Sequence, residues 1–268
     1  MDLALNRRAA ALARAMADEA AVLGIASRRL PGGTRVVDCG VEVEGGLEAG
    51  RRLALVCLGG LGTVDFTSVD LGGLWLPAVS VVVDHAVAAC LGSQYAGWAI
   101  NPPGYFALGS GPARALCRVE RPLFDRIGYA ESGDTGALVL ETRTLPGEEV
   151  AGFVAERCGI ALDGLTVLVA PTASLAGSVQ IAARSVETGL HKMVELGFDV
   201  RTVRGGAGVC PLAPVAESDV RAIGWTNDCI LYGARAYFAV RASDDEIRAL
   251  AERLPASASR DYGRPFAE

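Results

Sequence analysis

The residues whose types and spacing could do chemistry lie on one face of a predicted helix spanning residues 179–193. With 100° per residue, the apolar side chains of this segment share one face of the helix. The neighbouring face carries an amide, a guanidinium, a carboxylate and an imidazole, from Gln180, Arg184, Glu187 and His191. The functional interpretation of this face is a site for a polar ligand that Arg184 and Glu187 could reach. The same spacing is also typical of a solvated face with one Arg184–Glu187 ion pair, worth ~0.3 kcal/mol.

A polar elbow directly precedes this helix. An apolar run that begins at residue 165 predicts a buried strand, and Pro171 separates it from the helical pattern. Three hydroxyls would gather near the helix start, those of Thr172, Ser174 and Ser178. Backbone N–H groups are free at a helix start, so the elbow could hold a polar ligand within two helical turns of Arg184 and Glu187.

A second glycine-containing loop lies within residues 101–116. Gly109 and Gly111 allow a ligand close to the backbone, and Pro112 is suited to a first helical turn. Arg114 would then lie beside exposed N–H groups, which makes a site for an anion or a carbonyl group. A tight turn leading into a helix explains the same residues equally well.

Composition excludes several other kinds of function. The formal charge is −6 and Lys192 is the only lysine, which argues against a nucleic-acid partner. The seven cysteines occur singly with no CxxC spacing, and only two histidines are present. We therefore expect reduced thiols, a cytoplasmic location and no metal. No dinucleotide fingerprint, phosphate loop or GxSxG elbow occurs.

The termini and apolar runs predict neither export nor a membrane span. Segment 3–23 predicts an amphipathic helix whose charged residues interrupt any secretory pattern, so no signal peptide is expected. The uncharged segments 71–83 and 85–113 are respectively too short and too broken by Gly, Pro and Asn to cross a bilayer.

Short strands and interspersed helices predict an α+β fold. Strands are predicted at 34–44, 53–58, 63–69, 74–83, 165–170, 198–203 and 230–240. Helices are predicted at 84–96 with Asp84 as N-cap, and at 148–158, 219–223 and 244–254, while 205–214 and 225–228 are predicted to be a loop and a turn. A composition shift near 125–147 indicates two α+β domains, 1–140 and 141–268, which could exchange segments.

Six blocks of sequence, in order and spread over nearly the whole chain, resemble the methenyltetrahydromethanopterin cyclohydrolase family. They are DCGVEVEGGLEAG at 38–50, LPAVSVVVDH at 76–85, ALGSGPARAL at 107–116, LVAPTASLAGSVQIAARSVETGLHK at 168–192, TNDCILYG at 226–233 and DYGRPF at 261–266. The resemblance implies two α/β-type domains that enclose a substrate pocket, with mixed, mostly antiparallel sheets and flanking helices. It also implies a homotrimer that needs no metal or prosthetic group.

The implied reaction is the reversible hydrolysis of the methenyl bridge of 5,10-methenyltetrahydromethanopterin to the 5-formyl compound. The family's catalytic Arg and Glu fall on Arg184 and Glu187. Glu187 would accept a proton from water, and Arg184 would hold and orient it. The adjacent guanidinium should also lower the pKa of Glu187 and weaken it as a base.

The family blocks further imply substrate contacts, from Ser110, Gly111, Arg114, Thr172, Ser174, Ser178, Gln180, Asn227 and Asp228. His191 departs from the aromatic residue expected in relatives, and an essential proton transfer is not assigned to it.

Three other functions remain open from the residues alone. A folate-dependent cyclohydrolase would use the same methenyl chemistry. A non-catalytic pterin-binding protein would bind the substrate without changing it, and the pair Arg184 and Glu187 argues against that. A metal-dependent hydrolase would need ligands that this chain does not group.

Overall fold

The chain folds into two β-sheets with helices packed around them, in a computed structural model that describes residues 3–268. The first two residues of the predicted domain 1–140 lie outside that range. The helices are α1 (Leu5–Asp18), α2 (Ala20–Leu23), α3 (Leu47–Cys57), α4 (Ala113–Cys117), α5 (Arg121–Ile127), α6 (Glu148–Cys158), α7 (Leu175–Ala182), α8 (Ser185–Glu195), α9 (Asp219–Asp228) and α10 (Asp244–Ala251). The strands are β1 (Ala26–Arg29), β2 (Arg35–Asp38), β3 (Thr63–Leu71), β4 (Leu74–Val83), β5 (Trp98–Ile100), β6 (Ala107–Ser110), β7 (Gly136–Glu141), β8 (Leu165–Ala170), β9 (Val203–Pro211) and β10 (Arg235–Val240).

The first sheet has the strand order β1-β2-β8-β7-β6-β5, and its central strands β7 and β8 are buried on both faces. Its pairs β2–β8 and β8–β7 are parallel and the others antiparallel. Side chains alternate between the faces, so Leu168 packs with α1 and α3 while Val167 packs with α6. This double burial explains why β8 reads as a continuous apolar run.

The second sheet has the order β10-β9-β4-β3 and is antiparallel throughout. One face packs against α8, with Val79, Val81, Val186 and Leu190 in a shared core. Taken together, the helices and the two mostly antiparallel sheets confirm the predicted α+β class.

Helix α8 lies on β9 at a stretch of glycines. A Cβ atom added to Gly206 would come within 2.6 Å of Val186 Cγ1, and one added to Gly208 would meet Ser185 Oγ. The glycines therefore let the helix approach the strand backbone. The sequence prediction of a loop over 205–214 was wrong here, because glycines that read as loop formers allow close packing in a strand.

Two further local predictions were wrong. Residues 53–58 end helix α3 instead of forming a strand, and Glu48 pairs with Arg51 and Arg52 across its turns. A short apolar run does not distinguish the two structures. Asp84 caps no helix, because a π-helical segment begins after it at Val87–Gln94, with Ala86 at its N-cap position.

The C-terminal part is more helical than predicted. Helix α9 runs through the predicted turn at 225–228, and a π-helical turn, Cys229–Gly233, replaces the first half of the predicted strand pair. Helices α6 and α10 and strands β3, β4 and β8 lie where the sequence predicts them.

Each sheet takes strands from both sides of the predicted domain boundary. Residues 140 and 141 both lie in β7, and β8 pairs directly with β2 and β7. The division into 1–140 and 141–268, and the enclosure of a pocket by two domains, stay predictions. Within residues 3–268 no helix is long and apolar enough to cross a membrane.

Candidate functional site

A cavity of about 280 Å³ lies beside the first turn of α8 and contains the predicted Arg and Glu. Two strands of the first sheet and helices α8 and α9 contribute to its wall. The lining includes Leu108 from β6, Glu141 from β7, Arg184, Glu187 and His191 at α8, and Asn227 from α9. A larger cavity of about 530 Å³ near Asp84 and His85 contains none of the predicted site residues. The chemistry therefore points to the smaller one.

A break between α7 and α8 sets the position of Arg184. The ψ angles at Ala183 and Arg184 are 0° and 9°, and Arg184 leaves the right-handed helical region while Ala183 stays within it. The Gln94 side-chain amide donates a hydrogen bond of 3.0 Å to the Ala183 carbonyl. The predicted continuous helix over 179–193 was thus wrong at this point, and Arg184 lies at the N-cap position of α8.

The Arg184 guanidinium points back towards α7 and the first sheet. It donates to Gln180 Oε1 at 2.9 Å and to Ser110 Oγ at 3.4 Å. Its other close contact is Glu141, whose Oε2 lies 3.7 Å from Nη2. Arg184 is therefore held mainly by neutral groups, with one long ion pair.

The Glu187 side chain is buried but has no hydrogen-bond or ion-pair partner among residues 3–268. Burial raises its pKa to about 7, although Arg184 and Arg114 both act to lower it. Arg184 acts to lower the pKa of Glu187, as the sequence predicts, but the loss of hydration outweighs the attraction of the guanidinium and leaves the pKa above its usual range. A carboxylate with a pKa near 7 can take up and release protons at neutral pH.

Arg114 is buried away from the cavity wall. It pairs with Glu120 at 2.8 Å, and donates to the carbonyls of Leu91 and Ser93 at 3.0 Å each. The Tyr95 and Phe124 rings lie 5.1 and 5.5 Å from the guanidinium carbon. Arg114 acts on the site through its charge, while its predicted contact with substrate stays a prediction.

The neighbouring residues of that block, Ser110 and Gly111, have different surroundings. Ser110 bonds Arg184 and lies 3.6 Å from Cys57 Sγ. Gly111 has a φ of +102°, and its N–H donates to Ser93 at 2.8 Å. Gly111 lets the chain turn from β6 into α4, and the role predicted for it in binding stays a prediction.

The three hydroxyls of the elbow do not converge on one point. Thr172 donates to Glu141 Oε1 at 2.9 Å, which links it to the Arg184 contacts. Ser174 caps α7 by accepting from the Gly177 N–H, and Ser178 donates to the Ala213 carbonyl. Ser174 and Ser178 thus bond the protein itself, and their contact with substrate stays a prediction.

Asn227 and Asp228 also differ in their surroundings, because only Asn227 lines the cavity. Asn227 lines the cavity, where its amide donates to the Ile223 carbonyl at 2.8 Å. Asp228 accepts from the Phe266 N–H at 2.9 Å and so holds the C-terminal segment.

Sequence reasoning missed Glu141 and Tyr95. Glu141 ends an apolar strand without any motif, and it accepts hydrogen bonds from Thr172 and Gln180. Tyr95 stacks on His191, with ring centroids 4.6 Å apart and planes at 19°. A carboxylate at the end of a buried strand was the only signal available, and strand pairing alone brings it to Arg184.

No three His, Cys, Asp or Glu side chains come together as possible metal ligands in the part of the chain described, residues 3–268. The expectation of a metal-free protein stays a prediction.

Comparison with known proteins places the chain in a family. Residues 4–268 match the family described as Cyclohydrolase (MCH). The methenyltetrahydromethanopterin cyclohydrolase of Methanococcoides burtonii is 42% identical over 98% of this chain and 83% of its own. The enzyme of the same name from Methanosarcina barkeri is 45% identical over 89% of this chain and 75% of its own. The one from Methylobacillus flagellatus is 44% identical over 98% of this chain and 80% of its own. The chain therefore belongs to the methenyltetrahydromethanopterin cyclohydrolase family.

Proposed function

We propose that the chain reversibly hydrolyses the methenyl bridge of 5,10-methenyltetrahydromethanopterin to the 5-formyl compound, as a step of one-carbon metabolism. The observation that carries this proposal is the buried Glu187 carboxylate, which faces the cavity beside Arg184 and has a pKa of about 7. The names of the relatives agree with this chemistry.

The substrate supplies its own electrophile. Its bridging carbon shares a positive charge between two nitrogens, so a water molecule can attack it without a covalent protein nucleophile. Glu187 accepts a proton from that water as the new carbon–oxygen bond forms. The bond from carbon to one nitrogen then breaks, that nitrogen gains a proton, and the hydroxyl loses its proton to give the formyl group. One water is consumed and one proton released.

Arg184 supplies a fixed hydrogen-bond donor at the same wall. Its contacts with Gln180 and Ser110 hold the guanidinium in place before any substrate arrives. A preorganised donor of this kind can bind the attacking water or the oxygen that emerges from it. Glu187 in its ionised form also attracts the cationic bridge.

The rest of the cavity suits a flat heterocycle with polar edges. The stacked rings of Tyr95 and His191 offer a planar wall, and Asn227 offers an amide. We propose that these residues contact the pterin portion.

The family resemblance supports four further proposals. The protein acts as a homotrimer, uses no metal or prosthetic group, has no nucleic-acid partner and works in the cytoplasm. Full activity after exhaustive chelation and a trimer mass by light scattering would support the first two.

The test is a spectroscopic turnover assay on methenyltetrahydromethanopterin. We expect Glu187→Gln to lower kcat by about 10²–10⁴-fold, because it removes the base. Glu195→Gln is the matched control, since Glu195 is an exposed carboxylate on the same helix, and it should keep the wild-type rate.

Three results would contradict the proposal. A near wild-type rate for Glu187→Gln would remove the assigned base. Faster turnover of methenyltetrahydrofolate would favour the folate enzyme. Stoichiometric binding with no change in the methenyl absorbance would indicate a pterin-binding protein without activity.

A further inference from the structure

Glu141 is a partly buried carboxylate of the cavity wall to which the reaction described above assigns no step. Its side chain is 15% exposed and lies at the end of β7, where the first sheet meets the cavity. Thr172 donates to Oε1 at 2.9 Å, and Gln180 donates to Oε2 at 3.3 Å. Two donors from the elbow and α7 therefore fix the orientation of this carboxylate.

The Glu141 carboxylate also contacts Arg184, both directly and through Gln180. Gln180 links the two groups, because its Nε2 donates to Glu141 while its Oε1 accepts from Arg184 at 2.9 Å. The Arg184 Nη2 atom lies 3.7 Å from Glu141 Oε2. Arg184 thus turns its guanidinium towards Glu141 and Gln180, although Glu187 lies only three residues along the chain.

We propose that Glu141 is a positioning residue for the hydrolysis: with Gln180 it holds the Arg184 guanidinium away from Glu187, which leaves the Glu187 carboxylate unpaired in the cavity. The effect of Glu141 on catalysis rests on the proposed function. The geometry around Arg184 is a property of the free protein and can be measured without turnover.

The arrangement explains how a base can work beside an arginine. An ion pair with Arg184 would stabilise the charged form of Glu187 and weaken it as a base. Glu141 compensates the charge of Arg184 instead. Arg184 remains close enough to donate to the reacting oxygen, and Glu187 keeps its affinity for a proton.

Several other charged or titratable groups face Glu187 from the elements around it. They are Arg184 and His191 at α8, Arg114 on α4, Cys90 in the segment Val87–Gln94, Tyr95 after it and Glu141 at the end of β7. Burial lowers the pKa of His191, so His191 is a second titratable group at the cavity wall. A His191→Phe background keeps a ring against Tyr95 and removes that second titration.

The decisive variant is Glu141→Gln. It keeps the side-chain shape and an oxygen for Thr172, but it removes the charge that faces Arg184. We expect Arg184 to pair with Glu187, so that the acid limb of the kcat profile moves to lower pH by about one unit. On the plateau, kcat should fall about three- to tenfold, because the base is weaker.

Two matched variants separate charge from packing. Glu141→Asp retains the charge and should return the limb towards its wild-type position. Thr172→Val removes the hydroxyl donor to Glu141 but neither charge, so the limb should not move. Infrared difference spectra, with Glu187→Gln as the blank, follow the protonated Glu187 carboxyl against pH without substrate and should show the same shifts.

The outcomes are distinct. An unmoved limb and an unmoved infrared titration in Glu141→Gln, with kcat lowered equally at every pH, would overturn the inference. Loss of activity as large as that of Glu187→Gln would also overturn it, because Glu141 would then be the base. A wild-type protein with no turnover would contradict the proposed function, whereas the infrared shift would still decide the role of Glu141.

Discussion

Two buried arginines, Arg114 and Arg184, lie close to Glu187 but are held in opposite ways. Arg114 is fully buried, with an ion pair of 2.8 Å to Glu120, two carbonyl acceptors and two aromatic rings around it. Arg184 is 9% exposed at a cavity wall and bonds a neutral amide and a hydroxyl, with a carboxylate only at 3.7 Å. The first arrangement stabilises the fold, and the second leaves a charged donor available to a ligand.

Burial of a charged side chain does not by itself identify its role. Both arginines lie in blocks that resemble the family, and both influence Glu187 through their charge. Each guanidinium donates three hydrogen bonds to the protein. The difference lies in access, because Arg114 is fully buried while Arg184 lies at the cavity wall, where a substrate can reach its remaining donors.

The largest expected effect comes from exchanging the two arginines for methionine. Arg114→Met leaves the Glu120 carboxylate buried without its partner, which should cost about 3–5 kcal/mol of folding free energy. Arg184→Met leaves Glu141 bonded to Thr172 and Gln180, and it should cost about 1–2 kcal/mol. Chemical denaturation measures both.

The activity of the same variants should show the reverse order. Arg184→Met removes the donor proposed for the reacting oxygen and should lower kcat by about 10²–10³-fold. Arg114→Met should lower kcat per folded molecule by less than that. A reversed order in either assay would break the distinction between the two arginines.

A smaller effect concerns the folding free energy that is lost by burying the charged form of Glu187. Its pKa of about 7 in the folded state exceeds the usual unfolded value near 4.3, so the protonated form favours folding. This contribution is present in full below the unfolded pKa and is lost as pH rises through 7. We expect Glu187→Gln to be more stable than the wild type by about 3 kcal/mol at pH 8, because glutamine stays neutral.

The same substitution should make little difference to stability at pH 4, where glutamate is protonated in both states. Thermal unfolding at the two pH values compares them directly. An equal difference at pH 4 and pH 8 would show that the effect of Glu187→Gln comes from packing and not from charge.

The smallest effect compares two hydroxyls of the elbow. Ser174 caps α7, and Ser174→Ala should cost about 1 kcal/mol of stability, measured by urea denaturation. The matched variant Thr172→Ser keeps the hydroxyl that bonds Glu141 and should cost less. If Thr172→Ser were the more destabilising of the two, the stabilisation assigned to the Ser174 cap would be too large.

Part of the site was predictable from the family blocks. The residues Arg184, Glu187 and Asn227 could be named from family blocks, and all three line one cavity. Ser174, Ser178 and Asp228 carry equally polar side chains, yet they bond backbone groups of the protein. Sequence does not distinguish these uses, because each depends on which backbone groups happen to lie within reach.

The fold was predictable where the pattern is local and strong. Helix α6 begins with two glutamates and ends at Gly159, and strand β8 is a run of Leu and Val between turns. Strand β9 was missed because its glycines have no side chains to show a period, and their value appears only where α8 packs on them.

The sequence by itself determined the α+β class and the family and led to the prediction of Arg184 and Glu187 as the reacting pair, since these depend on residue types and their order along the chain. Only the tertiary structure decided what surrounds that pair. The break before α8 turns Arg184 towards Glu141, a residue 43 positions earlier that strand pairing brings into contact. Burial then raises the pKa of Glu187 to about 7, because hydration and charge pairing depend on distances in space and not along the chain.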